Sequence, residues 1–153
     1  MRPGDRLLCA FVEPQPVGLK FNNWLLHVTI VPWFRIDEKT NVIAAGLRKA
    51  FTTIAPFEAM VGEIVHFGPN RKRPANLVSF DEFGELEKLT RNYLHKKRAW
   101  LVDETTRVRQ QFRPHVTFQE EKRLRKGDRV MCDRLYVVEQ NGDYKEIVGE
   151  IRL

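Results

Sequence analysis

Along most of the chain, apolar positions come in short blocks bounded by turn residues, and twice they change to a spacing of three and four. Residues 6–12 form an apolar run closed by Pro14 and Pro16, which reads as a buried strand. Residues 24–31, rich in β-branched side chains, predict a second strand ended by Pro32. Val42, Ile43, Leu47, Ala50, Phe51 and Ile54 then recur at helical spacing. They predict a helix capped by Asp37 or Thr40, running to about Thr53 and stopped by Pro56. Residues 57–67 read as a strand, 68–74 as a basic loop and 76–80 as another strand. A second helix is expected from Asp81 to about Arg98. Its acids come early (Asp81, Glu82, Glu85, Glu87) and its bases late (Lys96, Lys97, Arg98), as the helix dipole favours. Phe83, Leu86, Leu89, Tyr93 and Leu94 supply its buried face. Residues 115–118 follow Pro114 as a strand. The chain closes with strands over 130–139 and 144–152, and Asn141-Gly142 between them is a hairpin signal. No low-complexity segment or long linker intervenes, which predicts one α+β domain over residues 1–153.

Composition narrows this little but usefully. Hydrophobic residues make up 42% and charged residues 30%, a balance that folds and argues against disorder. No apolar run approaches the roughly 20 residues a membrane helix needs. Met1-Arg2-Pro3-Gly4 does not open a signal peptide, so a cytoplasmic protein without membrane association is expected. Cys9 and Cys132 lie in strand-like apolar runs. They are too few for a disulfide framework and are expected to be buried free thiols in a reducing compartment. Against 20 Asp and Glu stand 26 Lys and Arg, a net charge of +6. Such an excess suits a polyanion such as RNA without requiring one.

The chemistry is carried by a repeated tripeptide. With 4 histidines and 8 threonines in the chain, His followed two places later by Thr should occur by chance about 0.2 times. It occurs twice, at His27-Val28-Thr29 and His115-Val116-Thr117. In a strand, residues i and i+2 share a face, so each copy presents an imidazole beside a hydroxyl while Val28 and Val116 turn to the packed side. Each half of the chain also holds one long helix and several short strands, which fits two similar lobes facing one another. If the two strands sit near each other, two imidazoles and two hydroxyls line one cleft, a set that suits phosphodiester chemistry. One neutral imidazole takes a proton from an attacking water, and one imidazolium gives a proton to the departing ribose oxygen. Thr29 and Thr117 can hydrogen-bond the non-bridging phosphate oxygens as charge builds. No metal or other cofactor is expected. Zinc would want further ligands at suitable spacing, and no carboxylate or cysteine accompanies either motif.

His27-Val28-Thr29 and Arg113-Pro114-His115-Val116-Thr117-Phe118 resemble the paired His-x-Thr motifs of the two-histidine (2H) phosphoesterase superfamily. The closest likeness is to its 2′-5′ RNA ligase and cyclic nucleotide phosphodiesterase branch. The resemblance spans most of the chain, from an opening strand through a first motif and a long helix to a second motif and terminal strands. It implies a bilobal α+β fold in which two antiparallel sheets line a central groove with helices outside. It also implies that the two histidines face each other across the scissile phosphate. By the same resemblance the chain would open RNA-type 2′,3′-cyclic phosphates to 2′-phosphates without metal, making the histidine near the 3′-oxygen the acid. Partners would be RNA ends or small cyclic nucleotides, met by a monomer. A reversible 2′-5′ RNA ligase and a non-catalytic nucleotide- or RNA-binding module are the alternatives. The chain is shorter than many ligase-branch members, so loops that choose substrates would be trimmed.

Other residues are weaker candidates. Arg113 could share the face of His115 and grip a phosphate through its fork, unless Pro114 breaks the alternation. Trp33, Phe34 and Phe67 lie near strand ends, where an aromatic ring can stack on a base or simply pack. The basic loop residues 71–73 and the Lys- and Arg-rich stretch 122–126 either steer RNA phosphates or form solvated surface. His66 and His95 lack the following threonine and read as structural or surface residues.

Overall fold

Short apolar blocks become strands because a sheet buries their alternating faces, and the two stretches at helical spacing become helices that cover it. A computed structural model describes residues 2–105 and 111–153; Met1, part of the opening tetrapeptide discussed above, lies outside the described residues. In one half of the sheet, β1 (Arg6–Phe11) lies between β3 (His27–Arg35) and β9 (Arg134–Asn141). There β10 (Tyr144–Arg152) pairs with β9 and with the two-residue β2 (Lys20–Phe21). The other half consists of β4 (Phe57–Phe67), β5 (Arg73–Val78), β7 (His115–Thr117) and β8 (Arg129–Cys132). A further short strand, β6 (Trp100–Leu101), pairs with β3. Every pairing among the described residues is antiparallel, and the halves join where β3 runs beside β7 with Val28 opposite Val116. Among the described residues, the two sheets expected are thus halves of one ten-stranded sheet.

Helices α1 (Thr40–Ala50) and α2 (Asp81–Lys96) cover one face. Ile43 and Leu47 of α1 and Phe83, Leu86 and Leu94 of α2 bury themselves against Leu8, Ala10, Val28, Ile30, Val116 and Val137. On the opposite face Leu7, Cys9 and Phe11 pack with Tyr136, Val138 and Ile147. Strand β1 is therefore buried on both sides, which is why its sequence is an unbroken apolar run. Cys9 and Cys132 are buried free thiols, and burial pushes the Cys132 thiol up to about 12. No helix among the described residues is long and apolar enough to cross a membrane.

Several expected boundaries move. Strand β3 begins at His27 rather than Trp24 and runs through Pro32 to Arg35. Its pairing with β1 shifts register between Leu8–Val31 and Arg6–Phe34, so Pro32 sits in an irregularity where its missing N–H costs no ladder bond. Helix α1 starts at Thr40 behind Lys39, without a side-chain cap, and ends three residues before Thr53; Val42 of the expected stripe is exposed. Strand β5 occupies 73–78 instead of 76–80, reaching back through Pro74, whose carbonyl accepts the Phe118 N–H. Helix α2 stops at Lys96, because Arg98 takes a left-handed conformation at φ 56°. The single strand expected over 130–139 is two: Asp133 separates β8 from β9, and the chain crosses there between the halves. The two-residue strands β2 and β6 and the short helix α3 (Val102–Thr105) carry no periodicity long enough to read. In the last hairpin the loop is Gly142-Asp143, with Gly142 at φ 72° as a primed turn requires.

One irregularity decides which side chains face the groove. In β4 the register changes between Val61–Val78 and Ile64–Asn76, which inserts one extra residue at Gly62-Glu63. Before the bulge Val61 faces the helices; after it Phe67 lies on the other face, sharing it with Arg73, Ala75 and Thr117. Asn76, almost fully buried, clamps the bulge by donating from Nδ2 to the Gly62 carbonyl at 3.1 Å. Replacing Asn76 by alanine strips that carbonyl of its donor and is expected to cost about 1–3 kcal/mol, measurable as a lower denaturation midpoint.

Candidate active site

The pairing of Val28 with Val116 builds the site. Both valines point into the helix-covered core, so the residues flanking them point to the opposite face. Antiparallel register then sets His27 across from Thr117 and Thr29 across from His115. Each histidine thus stands beside its own threonine along the strand and beside the other motif's threonine across it. The repeat separated by 88 positions in sequence becomes one four-residue cluster with an approximate two-fold relation.

Both imidazoles are held in the same way. His27 Nδ1 lies 2.6 Å from the Leu25 carbonyl oxygen, and His115 Nδ1 lies 2.7 Å from that of Arg113. A carbonyl only accepts, so each Nδ1 carries the proton and donates it, leaving Nε2 to exchange protons with a ligand. Rings cover them too. Trp24 is stacked on His27 at 4.3 Å between centroids and 27° between planes, and Phe67 on His115 at 4.1 Å and 21°. Burial lowers the pKa of His27 to about 4, opposed by its carbonyl bond and reinforced by the nearby His115. His115 is lowered as well, first by burial and further by the Arg113 guanidinium. Before substrate binds, both imidazoles therefore favour the neutral form more than a free histidine does.

A cavity of about 410 Å³ opens on the His115 side, with Thr29, Phe67, Arg113 and His115 among its lining residues. Its far wall carries Arg91, which is hydrogen-bonded to Glu87 and Asp103. Among the described residues no group of three or more His, Cys, Asp or Glu side chains could hold a metal ion.

A family model described as the 2′-5′ RNA ligase superfamily matches residues 12–143, a span that includes both motifs. The chain belongs to this superfamily. Members of the 2′-5′ RNA ligase superfamily are phosphoesterases and RNA ligases, which makes the chain an enzyme of that broad kind. Solved structures of similar fold include TT0787 of Thermus thermophilus, at 14% identity over 97% of each chain and a TM-score of 0.60. Escherichia coli LigT complexed with 3′-AMP is 11% identical over 99% of each chain, with a TM-score of 0.57. Its complex with NADP+ matches at the same identity and TM-score over 100% of this chain and 99% of that one. A comparison with curated protein sequences finds no match.

The residues expected from the sequence of this superfamily member fall into three groups. His27, Thr29, His115 and Thr117 come together on one face, as described above. Arg113 precedes β7 and contributes its backbone carbonyl to His115, while its guanidinium stands over Phe67 at 5.4 Å. Trp33 packs in the cluster behind Trp24, at 6.4 Å from it, and Phe34 is fully buried in the core. Trp24, a neighbour of His27, was missed because it precedes the strand and no periodicity marks it. Its signal was an aromatic three places before the first motif histidine. His66 and His95 are exposed, His95 against Glu104 at 2.7 Å.

Proposed function

We propose that the chain is a metal-independent phosphoesterase that opens RNA-type 2′,3′-cyclic phosphates to 2′-phosphates by acid–base catalysis between His27 and His115. The observation that supports this reading is the register of β3 beside β7, which gives His27, Thr29, His115 and Thr117 one common face, with a cavity lined by Thr29 and His115 beside it. His27, held neutral by its burial down to about pH 4, serves as base: its Nε2 takes a proton from water as the water oxygen attacks phosphorus. The P–O3′ bond breaks, and His115, as imidazolium, delivers its Nε2 proton to O3′. Thr29 and Thr117 donate to the non-bridging oxygens, and exchange with solvent resets both histidines. The excess of basic residues, Arg113 among them, draws the anionic substrate towards the groove. In this reading residues 1–153 act as one two-lobed domain, monomeric and cytoplasmic, on RNA ends or small cyclic nucleotides. Two buried free thiols suit a reducing compartment.

The test is hydrolysis of 2′,3′-cyclic nucleotides in excess EDTA, with the product identified by NMR. Release of a 2′-phosphate supports the reading; tight binding without turnover at any pH overturns it. The pH profile is a second check. A base neutral above about pH 4 and an acid titrating below its ordinary 6.5 give kcat/KM a bell centred in the weakly acidic range. Bound phosphate favours imidazolium, so the alkaline limb of kcat is expected at higher pH than that of kcat/KM.

A further inference from the structure

We propose that Trp24 and Phe67 are positioning residues, each fixing the plane of one imidazole so that its Nε2 is aimed at the phosphate. The inference rests on the acid–base reading above and adds two residues that it does not require. A hydrogen bond from Nδ1 to a carbonyl fixes one direction in an imidazole ring but leaves the ring free to rock about it. A second ring lying flat against the first removes that freedom, and each histidine has one, at 4.3 Å for Trp24 and 4.1 Å for Phe67.

The sheet is shaped to deliver both rings. Without the extra residue at Gly62-Glu63, Phe67 would point with Val61 into the helix-covered core; the Asn76-clamped bulge turns it to the groove. Trp24 has no strand of its own. It is held from behind by Phe21 of β2, edge-on at 5.2 Å, and β2 in turn pairs with β10 at Lys145. Cations complete the parallel: the Lys145 ammonium stands over the Trp24 ring at 5.6 Å, as the Arg113 guanidinium does over Phe67. Two unrelated local structures thus produce the same carbonyl–imidazole–aromatic arrangement on both sides of the site. The face of Phe67 that could have taken a base is given to His115.

An aromatic face also favours the imidazolium form over the neutral ring, which gives the arrangement a readout beyond rate. Charged groups around the pair are Arg113 beside His115, Lys145 over Trp24, and the Arg91–Glu87–Asp103 cluster on the cavity wall. The experiment is NMR titration of the His27 and His115 Cε1–H signals in the full chain. Wild type is compared with Phe67→Leu, Phe67→Tyr, Trp24→Leu and Trp24→Phe, together with kcat and KM for a 2′,3′-cyclic nucleotide. Phe67→Leu is expected to lower the His115 midpoint by about 0.5–1 unit and leave His27 in place. It should also lower kcat about tenfold with KM changed less than about twofold, the mark of lost transition-state alignment. Trp24→Leu does the same to His27, and the aromatic variants restore both midpoints. Unmoved midpoints in the leucine variants overturn the proposal, as does a raised KM with unchanged kcat, which would make the rings substrate platforms. Should Trp24→Leu lose its fold, the Phe67 pair decides. A wild-type chain that hydrolyses no cyclic phosphate defeats the catalytic reading, while the titrations still judge the stacking.

Discussion

Replacing His27 or His115 by alanine is expected to lower turnover of a 2′,3′-cyclic nucleotide by roughly 10²–10⁴-fold each. Each substitution removes one of the two proton transfers, and neither removes the surface that holds the phosphate, so kcat falls and KM changes little. The double variant should be scarcely worse than the poorer single one, because proton removal and proton delivery belong to one concerted event. Both imidazoles are half-buried at the groove, outside the core clusters, so the variants keep their thermal midpoints within a few degrees. Assay in EDTA with product identification is the measurement, and undiminished turnover in both alanine variants would sink the mechanism.

The threonines give the second large effect. Thr29→Val and Thr117→Val keep the volume and the strand preference of each site and delete one hydroxyl. A donor aimed at developing charge contributes about 10²–10³-fold, and one of two side-chain hydroxyls belongs at or below the lower end of that range. The two singles should therefore lose about 10- to 100-fold in kcat. Serine at either position should recover most of it, since the hydroxyl and not the methyl is needed. The register adds a sharper expectation. Thr117 lies across from His27 and Thr29 across from His115, so each valine shifts the titration of the opposite histidine as well as that of its own motif. A valine pair that raises KM and spares kcat would mean the hydroxyls hold the ground state and not the transition state.

The cluster itself was legible because a period-two pattern needs no tertiary information: His, Val and Thr in a strand put the polar pair on one face wherever the strand goes. That the two copies would be neighbours came from the family resemblance, and the Val28–Val116 pairing is its structural form. Long, strongly periodic elements such as β4 were equally plain, its bounds of Phe57–Phe67 matching the apolar block. What escaped was everything set by a partner far along the chain. Trp24 matters because Phe21 pairs with Lys145, and Phe67 faces the site because Asn76 clamps a bulge. The break at Asp133 arises because β8 belongs to β4 and β9 to β1. No local window holds both members of such a pair.

The crossing at Asp133 bears on how the molecule comes to be assembled. Strand β1 is completed on one side by β3, its near neighbour in the chain, and on the other by β9, more than a hundred residues later. During synthesis, the apolar side chains of β1 that pack on Tyr136 and Val138 stay uncovered until β9 and β10 emerge. The half that opens the chain is thus finished last, and contacts of such long sequence separation fold slowly. A nascent chain halted after β8 would present Leu7, Cys9 and Phe11 along an open strand edge. Chaperone demand and aggregation should therefore peak just before the final hairpin and fall once it docks.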